Sequence, residues 1–213
     1  MKKSIAVLQQ WKNNAPNNPE APHTMGLTYA SKQRYSQALA EFDAALKINP
    51  KFIIATKSKA DVYALKGNMP AAIEAYEGTI SADPKYMEVY IRLGLLYYQK
   101  KDIAKAIDSF RRAIKIDPKY PVAYNDLAWV LAQEGKNMNE AMELAQTAVK
   151  LSPKYADAQD TLGLIYLRTS RYDDAIQVLK TAKQLRPNLT AALELNSMLQ
   201  DAATIKKMIA EIR

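Results

Sequence analysis

Six of the ten prolines recur at a fixed interval: Pro16, Pro50, Pro84, Pro118, Pro153 and Pro187 lie 34, 34, 34, 35 and 34 residues apart. Proline cannot continue a helix, and it pushes the residue before it out of the helical region, so each marks a helix end. Before each interior proline runs an apolar-periodic segment with a short polar tail, such as Leu46-Lys47-Ile48-Asn49-Pro50 or Ile114-Lys115-Ile116-Asp117-Pro118. A helix-length apolar segment lies on either side of each interior turn, so the repeating unit is a helix hairpin. One hairpin cannot bury its own apolar faces, and neighbours must stack to do so.

Other positions repeat in phase with the prolines. Ala38, Ala72, Ala106, Ala141 and Ala175 precede theirs by twelve residues, and Ala45, Thr79, Ala113, Ala148 and Ala182 follow seven residues later. In the preceding helix Gly26, Ala60, Gly94, Ala128 and Gly163 recur, each followed three residues on by Tyr29, Tyr63, Tyr97, Leu131 and Tyr166. Phe42, Tyr76, Phe110, Ala145 and Leu179 fill one more slot. Small residues let antiparallel helices approach closely, and the large ones fill the gap to the next hairpin.

This pattern resembles the tetratricopeptide repeat family, whose 34-residue unit has small, aromatic, Ala, aromatic, Ala and Pro at these slots. The resemblance implies an all-α fold, a right-handed α-solenoid of five hairpins at residues 19–52, 53–86, 87–120, 121–155 and 156–189. Residues 1–18 would be an N-terminal half-repeat helix and residues 190–213 a C-terminal capping helix pair, the whole forming one continuous domain. Several positions depart from the family pattern. Its first-helix Trp is replaced by Pro22, Thr56, Tyr90, Tyr124 and Gln159. Pro22 fits only in the first turn of its helix, where no intrahelical N–H bond is lost. Lys59 stands where Met25, Leu93, Leu127 and Leu162 are apolar, which predicts looser packing of the second repeat. The turn glycine survives as Gly67 and Gly135, and Asn139 is expected to cap the helix after the extra residue of the fourth repeat.

At the N-terminus, Ser4, Leu8 and Trp11 fall on the Ala, aromatic and Ala slots of a second helix. The sequence therefore reads either as a fragment of a longer array or as a natural cap with Trp11 as its plug. At the other end, residues 190–200 read as one more first helix, with Leu193 and Ser197 on its slots. Residues 202–212 then place Ile205, Met208, Ile209 and Ile212 on one face, as a terminal cap needs. Met1-Lys2-Lys3 precedes only four apolar residues, Ile5 to Leu8, too few for a signal sequence, and no run approaches a membrane span. The compartment is left open between cytoplasm and periplasm.

The residue inventory argues against catalysis. The chain has no Cys, one His and six Gly, which removes thiolate metal sites, Cys nucleophiles and any site needing two histidines. The closest glycines, Gly67 and Gly78, are eleven residues apart, so neither a phosphate loop nor a dinucleotide fingerprint exists. Asp173-Asp174 sit where a helix starts, and dipole complementation explains them. A non-enzyme without cofactor or metal is expected.

Binding is then the functional question. Positions 2, 5, 9, 12 and 13 of each repeat share one face of the first helix, which in the resembled family lines the concave side. They place Glu20, His23, Leu27 and Ala30, then Ile54, Lys57, Asp61 and Leu65, on a largely apolar strip with charged edges. Later repeats add Glu88, Ile91, Leu95, Tyr98 and Gln99, then Val122, Asn125, Trp129 and Gln133, then Asp157, Asp160, Leu164, Leu167 and Arg168. Apolar strips with polar rims mark partner sites. The candidate groove contacts are Trp129, Leu95, Leu164, Tyr98, Asn125, Ile91, Lys57, Asp61 and Arg168, with Trp129 as anchor. The carboxylate clamp of chaperone-binding family members is not matched: one frame reads His23, Leu27, Ser58, Glu88 and Arg92, the other Lys57, Asp61, Arg92, Val122 and Asp126. Acidic chaperone tails are therefore not expected partners.

The formal charge of +8 divides into +4 over residues 1–52 and +4 over 87–120. Lys105, Arg111, Arg112 and Lys115 alternate with Asp102 and Asp108 on a second helix, a solvated face rather than a basic groove with stacking aromatics. Nucleic acid ranks a distant third. The leading expectation is a non-catalytic adaptor holding a peptide or amphipathic helix in its groove; the alternative is a self-associating scaffold that forms homo-oligomers. A narrower resemblance, carried by Ala123–Gly135 with Asp160-Thr161-Leu162-Gly163, is to bacterial envelope arrays linked to polysaccharide export or surface-protein sorting.

Overall fold

The computed structural model describes residues 2–135, 137–185, 197–198 and 200–207. Among these the chain is helical throughout, with no strand. It divides into two compact units, residues 1–100 and 101–213. The first holds α1 (Lys2–Asn14), α2 (Glu20–Ala30), α3 (Tyr35–Ile48), α4 (Ile53–Leu65), α5 (Met69–Ala82) and α6 (Met87–Gln99). In the second are α7 (Ile103–Ile116), α8 (Pro121–Glu134), α9 (Met138–Leu151), α10 (Ala156–Arg168) and α11 (Tyr172–Leu185). Hairpins α2–α3 and α4–α5 stack in the first unit, with α3 against α4. In the second unit α8–α9 and α10–α11 do the same, with α9 against α10.

Each second helix ends as its proline dictates. Asn49, Asp83, Asp117 and Ser152 leave the helix in extended backbone, at φ of −135°, −136°, −129° and −143°. The first three side chains then accept a hydrogen bond from the amide two residues on, at Lys51, Lys85 and Lys119, over 2.9–3.0 Å. The polar residue before each proline is thus a turn former. Tyr90, Tyr124 and Gln159, at the family's Trp position, reach back to donate to the carbonyls of Pro84, Pro118 and Pro153 at 3.3, 3.1 and 3.3 Å. That bond pins the next first helix to the preceding turn.

Within the hairpin the turn is left-handed. Gln33, Gly67, Lys101, Gly135 and Ser170 have φ of 57°, 73°, 66°, 65° and 59°. The conformation recurs at the repeat period although only two of the five are glycine, because the hairpin geometry demands it whatever residue stands there. The amides of Arg34, Asn68 and Arg171 bond the carbonyls of Tyr29, Tyr63 and Tyr166, five residues back, which closes the helix end. Asn68 and Asp102 cap the next helix through the amides of Ala71 and Lys105. Where the position is Arg34 or Arg171, the guanidinium instead lies 4.9 or 4.5 Å over the ring of Tyr29 or Tyr166. Asn139 does not cap: it lies inside α9. The residue flanking that helix is Asn137, left-handed at a φ of 51°, and its side chain makes no capping bond.

The core follows the repeat slots. Every alanine of the two second-helix slots is fully buried, as is Thr79, whose hydroxyl donates to the Ala75 carbonyl. A Cβ on Gly26 would lie 2.5 Å from the Phe42 ring, and one on Gly163 2.5 Å from Leu179. Glycine there is a packing requirement. Pro22 falls in the first turn of α2, where it displaces no helical bond. Lys59 sends its ammonium outward to Asp43. In α1, Ile5 and Leu8 pack onto the cluster of Met25, Tyr29 and Phe42. Trp11 is 36% exposed at the surface of α1. At the other end Ala202 is fully buried, Ile205 is exposed and Lys206 pairs with Asp173 at the start of α11. Leu193, Met208, Ile209 and Ile212 lie outside the described residues.

Candidate functional site

In the first unit, Leu27, Ile54, Leu65 and Leu95 are exposed by 46, 49, 64 and 43%. Apart from Val7 and Trp11 on α1, they are the large apolar side chains exposed in this unit among the described residues. All four stand on α2, α4 and α6, at the repeat positions expected to share one face. Beside them, Asp61, Ala64, Leu65, Tyr76, Arg92, Leu95, Leu96 and Gln99 line a pocket of about 450 Å³. Its wall is apolar and its rim carries charge.

That rim is an ion-pair network. Lys57 Nζ lies 3.0 Å from Asp61 on its own helix and 3.0 Å from Glu88 on α6. Burial lowers the affinity of this ammonium for its proton, but bonds to Glu88 and Asp61 more than offset that and raise its pKa. Asp61 also accepts a hydrogen bond from the buried Tyr76 hydroxyl. Burial, and then that carboxylate, push the Tyr76 pKa upward. Among the described residues Arg92 is held only by a 3.7 Å contact with Glu88, which Lys57 already engages, and half of its side chain is in solvent. None of its N–H donors makes, among the described residues, a hydrogen bond that would compete with a ligand. His23 sits 3.0 Å from the Ser58 hydroxyl and packs on Phe42 and Phe52, ring centroids 5.5 and 5.4 Å away. Burial lowers its pKa against the pull of Glu20. It is a polar lining residue tied into the helix interface.

The second unit presents a different face. Trp129 and Leu164 are half-buried, and Asn125 is 6% exposed. Asn125 donates from Nδ2 to Asp126 over 3.2 Å, while its Oδ1 is buried without a hydrogen-bond partner. Burial pushes the Asp126 carboxyl up to about 6, partly opposed by the Asn125 bond. Arg168 donates to the Ala132 carbonyl and, at 3.3 Å, to Gln133, so it ties α10 to the C-terminal turn of α8. Among the described residues of this unit the exposed large apolar side chains are Leu151 and Ile205, neither of them on α8 or α10.

Of the sequence-derived candidates, Lys57, Asp61 and Leu95 come together around the pocket. Tyr98 is half-buried and Ile91 is 7% exposed, so Ile91 offers a partner almost no surface. Asn125, Trp129, Leu164 and Arg168 belong to the second unit. First helices pack edge to edge, α2 on α4 and α8 on α10, and this covers one side of the face that a helical projection treats as open. The pocket residues Arg92 and Tyr76 were not among the candidates. Tyr76 stands on a second helix, which a projection of first helices never samples. On α7, Arg112 pairs with Asp108 at 2.8 Å and Lys105 with Asp102 at 3.8 Å, as the alternating charges imply, whereas Arg111 pairs with Glu140 of α9 at 2.8 Å.

Models of the tetratricopeptide repeat match residues 23–86, 88–120, 109–142 and 134–197. The chain belongs to the tetratricopeptide repeat family. No curated protein matches it. Among solved structures it is similar to YrrB, at 20% identity and a TM-score of 0.67, over 89% of this chain and 97% of that one. It also resembles yeast Tom70, at 20% identity and 0.80, covering 97% of this chain but 44% of Tom70. Pseudomonas aeruginosa pilF matches at 20% identity and 0.73, over 90% and 91% of the two chains. At these identities the likeness is one of fold. No described helix of this tetratricopeptide repeat protein is long and apolar enough to cross a membrane.

Proposed function

We propose that this protein is a non-catalytic interaction module whose first helices hold an extended peptide or an amphipathic helix, joining its partner to an assembly. The observation that supports this reading is the strip Leu27, Ile54, Leu65 and Leu95 beside the pocket with Arg92 at its rim. Covering four half-exposed aliphatic side chains yields about 4 kcal/mol gross, about 1 kcal/mol each. Alone that corresponds to a dissociation constant near 1 mM before any ordering cost. The partner therefore needs polar contacts as well, and Arg92 and Gln99 stand where such contacts form. A preformed helical face keeps the ordering cost on the partner's side. YrrB, which shares the fold, is described as having an unusual peptide-binding site.

The test is quantitative affinity capture with mass spectrometry, using wild type, Leu95→Glu on the strip and Arg112→Glu on the outer surface of α7. A specific partner lost by about tenfold with Leu95→Glu and retained with Arg112→Glu is the expected result, with unchanged melting of both variants. Equal capture by Leu95→Glu and wild type would remove the strip as the binding face.

A further inference from the structure

The pocket of the first unit is walled by Leu65 of α4 with Leu95 and Leu96 of α6, and its volume of about 450 Å³ is that of a ligand site. On α6, Arg92 stands one turn before this leucine pair and Gln99 one turn after it, and both line the same pocket. The charged groups around it are unequally committed. Lys57 is held between Asp61 and Glu88, at 3.0 Å from each, and Asp61 also takes the Tyr76 hydroxyl. Arg92 is looser: its contact with Glu88 is 3.7 Å, half of its side chain is in solvent, and among the described residues its guanidinium makes no hydrogen bond. Burial and Asp61 raise the Tyr76 pKa and the charge of Arg92 opposes them, so the guanidinium lies within electrostatic reach of the hydroxyl that lines the pocket. Over residues 1–100, thirteen Lys and Arg stand against eight Asp and Glu, and the field of the unit favours an incoming anion.

We propose that Arg92 receives an acidic side chain, glutamate or aspartate, from a peptide that seats a neighbouring large apolar side chain against Leu65 and Leu95. The proposal rests on the groove reading above and names the chemistry of the partner. A guanidinium offers a carboxylate two parallel N–H donors, and apolar walls on one side strengthen that pairing relative to an open surface. Arg92 and Gln99 are seven residues apart, about 10 Å along the helix axis, which about three extended residues span. The acidic and apolar residues of the partner are therefore within about three positions of each other. A terminal pair of carboxylates is a different ligand: Glu88, one turn before Arg92, repels the second of them.

The probe is a displayed library of random peptides, fused at both ends so that no carboxyl terminus is free, selected on the immobilised full chain. One enriched peptide then enters a double-mutant cycle, in which its acidic residue is changed to the amide and the protein carries Arg92→Gln, with affinities read by fluorescence anisotropy. Loss of the peptide carboxylate is expected to weaken binding to wild type about tenfold and to leave binding to Arg92→Gln unchanged. Arg92→Lys should fall between them, and Lys47→Gln, at an exposed position of α3, should behave as wild type. Enriched peptides without an acidic residue, lost with Leu95→Glu, overturn the anion site while the groove reading stands. Carboxylate dependence that persists in Arg92→Gln overturns Arg92 as the acceptor and assigns the effect to net charge. Equal binding to Leu95→Glu and wild type, or a selection without enrichment, overturns the groove reading and the pocket with it.

Discussion

Asp126→Asn keeps the shape of the side chain and removes its charge, which makes it a clean probe of the second unit. Burial pushes this carboxyl up to about 6 from an ordinary 3.8. At 1.36 kcal/mol per pH unit the difference amounts to about 3 kcal/mol. The folded state holds the proton more tightly than the unfolded chain. Stability from this group is therefore fully present below about pH 4 and is lost as pH rises through about 6. At neutral pH the wild type bears an ionised, half-buried carboxylate with no ion pair among the described residues. Its remaining solvent contact reduces the penalty, so we set the gain from asparagine at about 2 kcal/mol. Urea unfolding followed by circular dichroism, run on both proteins from about pH 4 to about pH 8, gives the difference curve. The curves should meet at the acid end, part as the carboxyl ionises, and stay apart above about pH 7. An offset independent of pH, or a variant less stable than wild type at neutral pH, would refute the argument.

Other consequences follow from the packing and the turns. Gly26→Ala drives a methyl into the fully buried Phe42 ring and should lower stability by about 1–3 kcal/mol. Adding Phe42→Leu should recover part of that loss, and a thermal melt of the two variants that shows no coupling contradicts the contact. Gln33→Gly relieves a left-handed, exposed residue and should raise stability by about 0.5–1 kcal/mol, while Gly67→Ala should lower it by about 1 kcal/mol. Chemical denaturation with opposite signs would dismiss the strain argument. Tyr124→Phe removes the hydroxyl bond to the Pro118 carbonyl and should lower the free energy of unfolding by about 0.5–1 kcal/mol, whereas an unchanged value would mean the bond is replaced by water. Light scattering during size exclusion decides between adaptor and self-associating scaffold: a monomer at every concentration counts against the scaffold.

The repeat was readable because its signals are local. A proline after Asn49, Asp83 or Asp117 fixes a turn through bonds that span two residues, and a glycine facing Phe42 is written in the fixed spacing of the two slots. The left-handed turns at Gln33, Lys101 and Ser170 were not readable as such, because hairpin geometry imposes them on residues with no preference for them. The site was legible in part. Helical projection placed Leu27, Ile54, Leu65 and Leu95 on one face, and all four are exposed there. It could not show that Ile91 and Asn125 are covered or that Arg168 is tied to α8, since these depend on the neighbouring helix. Nor could it find Tyr76, whose hydroxyl enters the pocket from a second helix to bond Asp61.

The most direct test of the groove is site-specific photocrosslinking. A benzophenone amino acid placed at Leu95 faces the strip and its pocket, and the same group at Glu74 faces solvent from α5. Our account predicts that the Leu95 probe captures one recurring peptide segment, that unlabelled Leu95→Glu protein fails to compete for it, and that the Glu74 probe does not capture it. Capture of the same segment from Glu74, or no defined segment from Leu95, would contradict the claim that the first helices hold the partner.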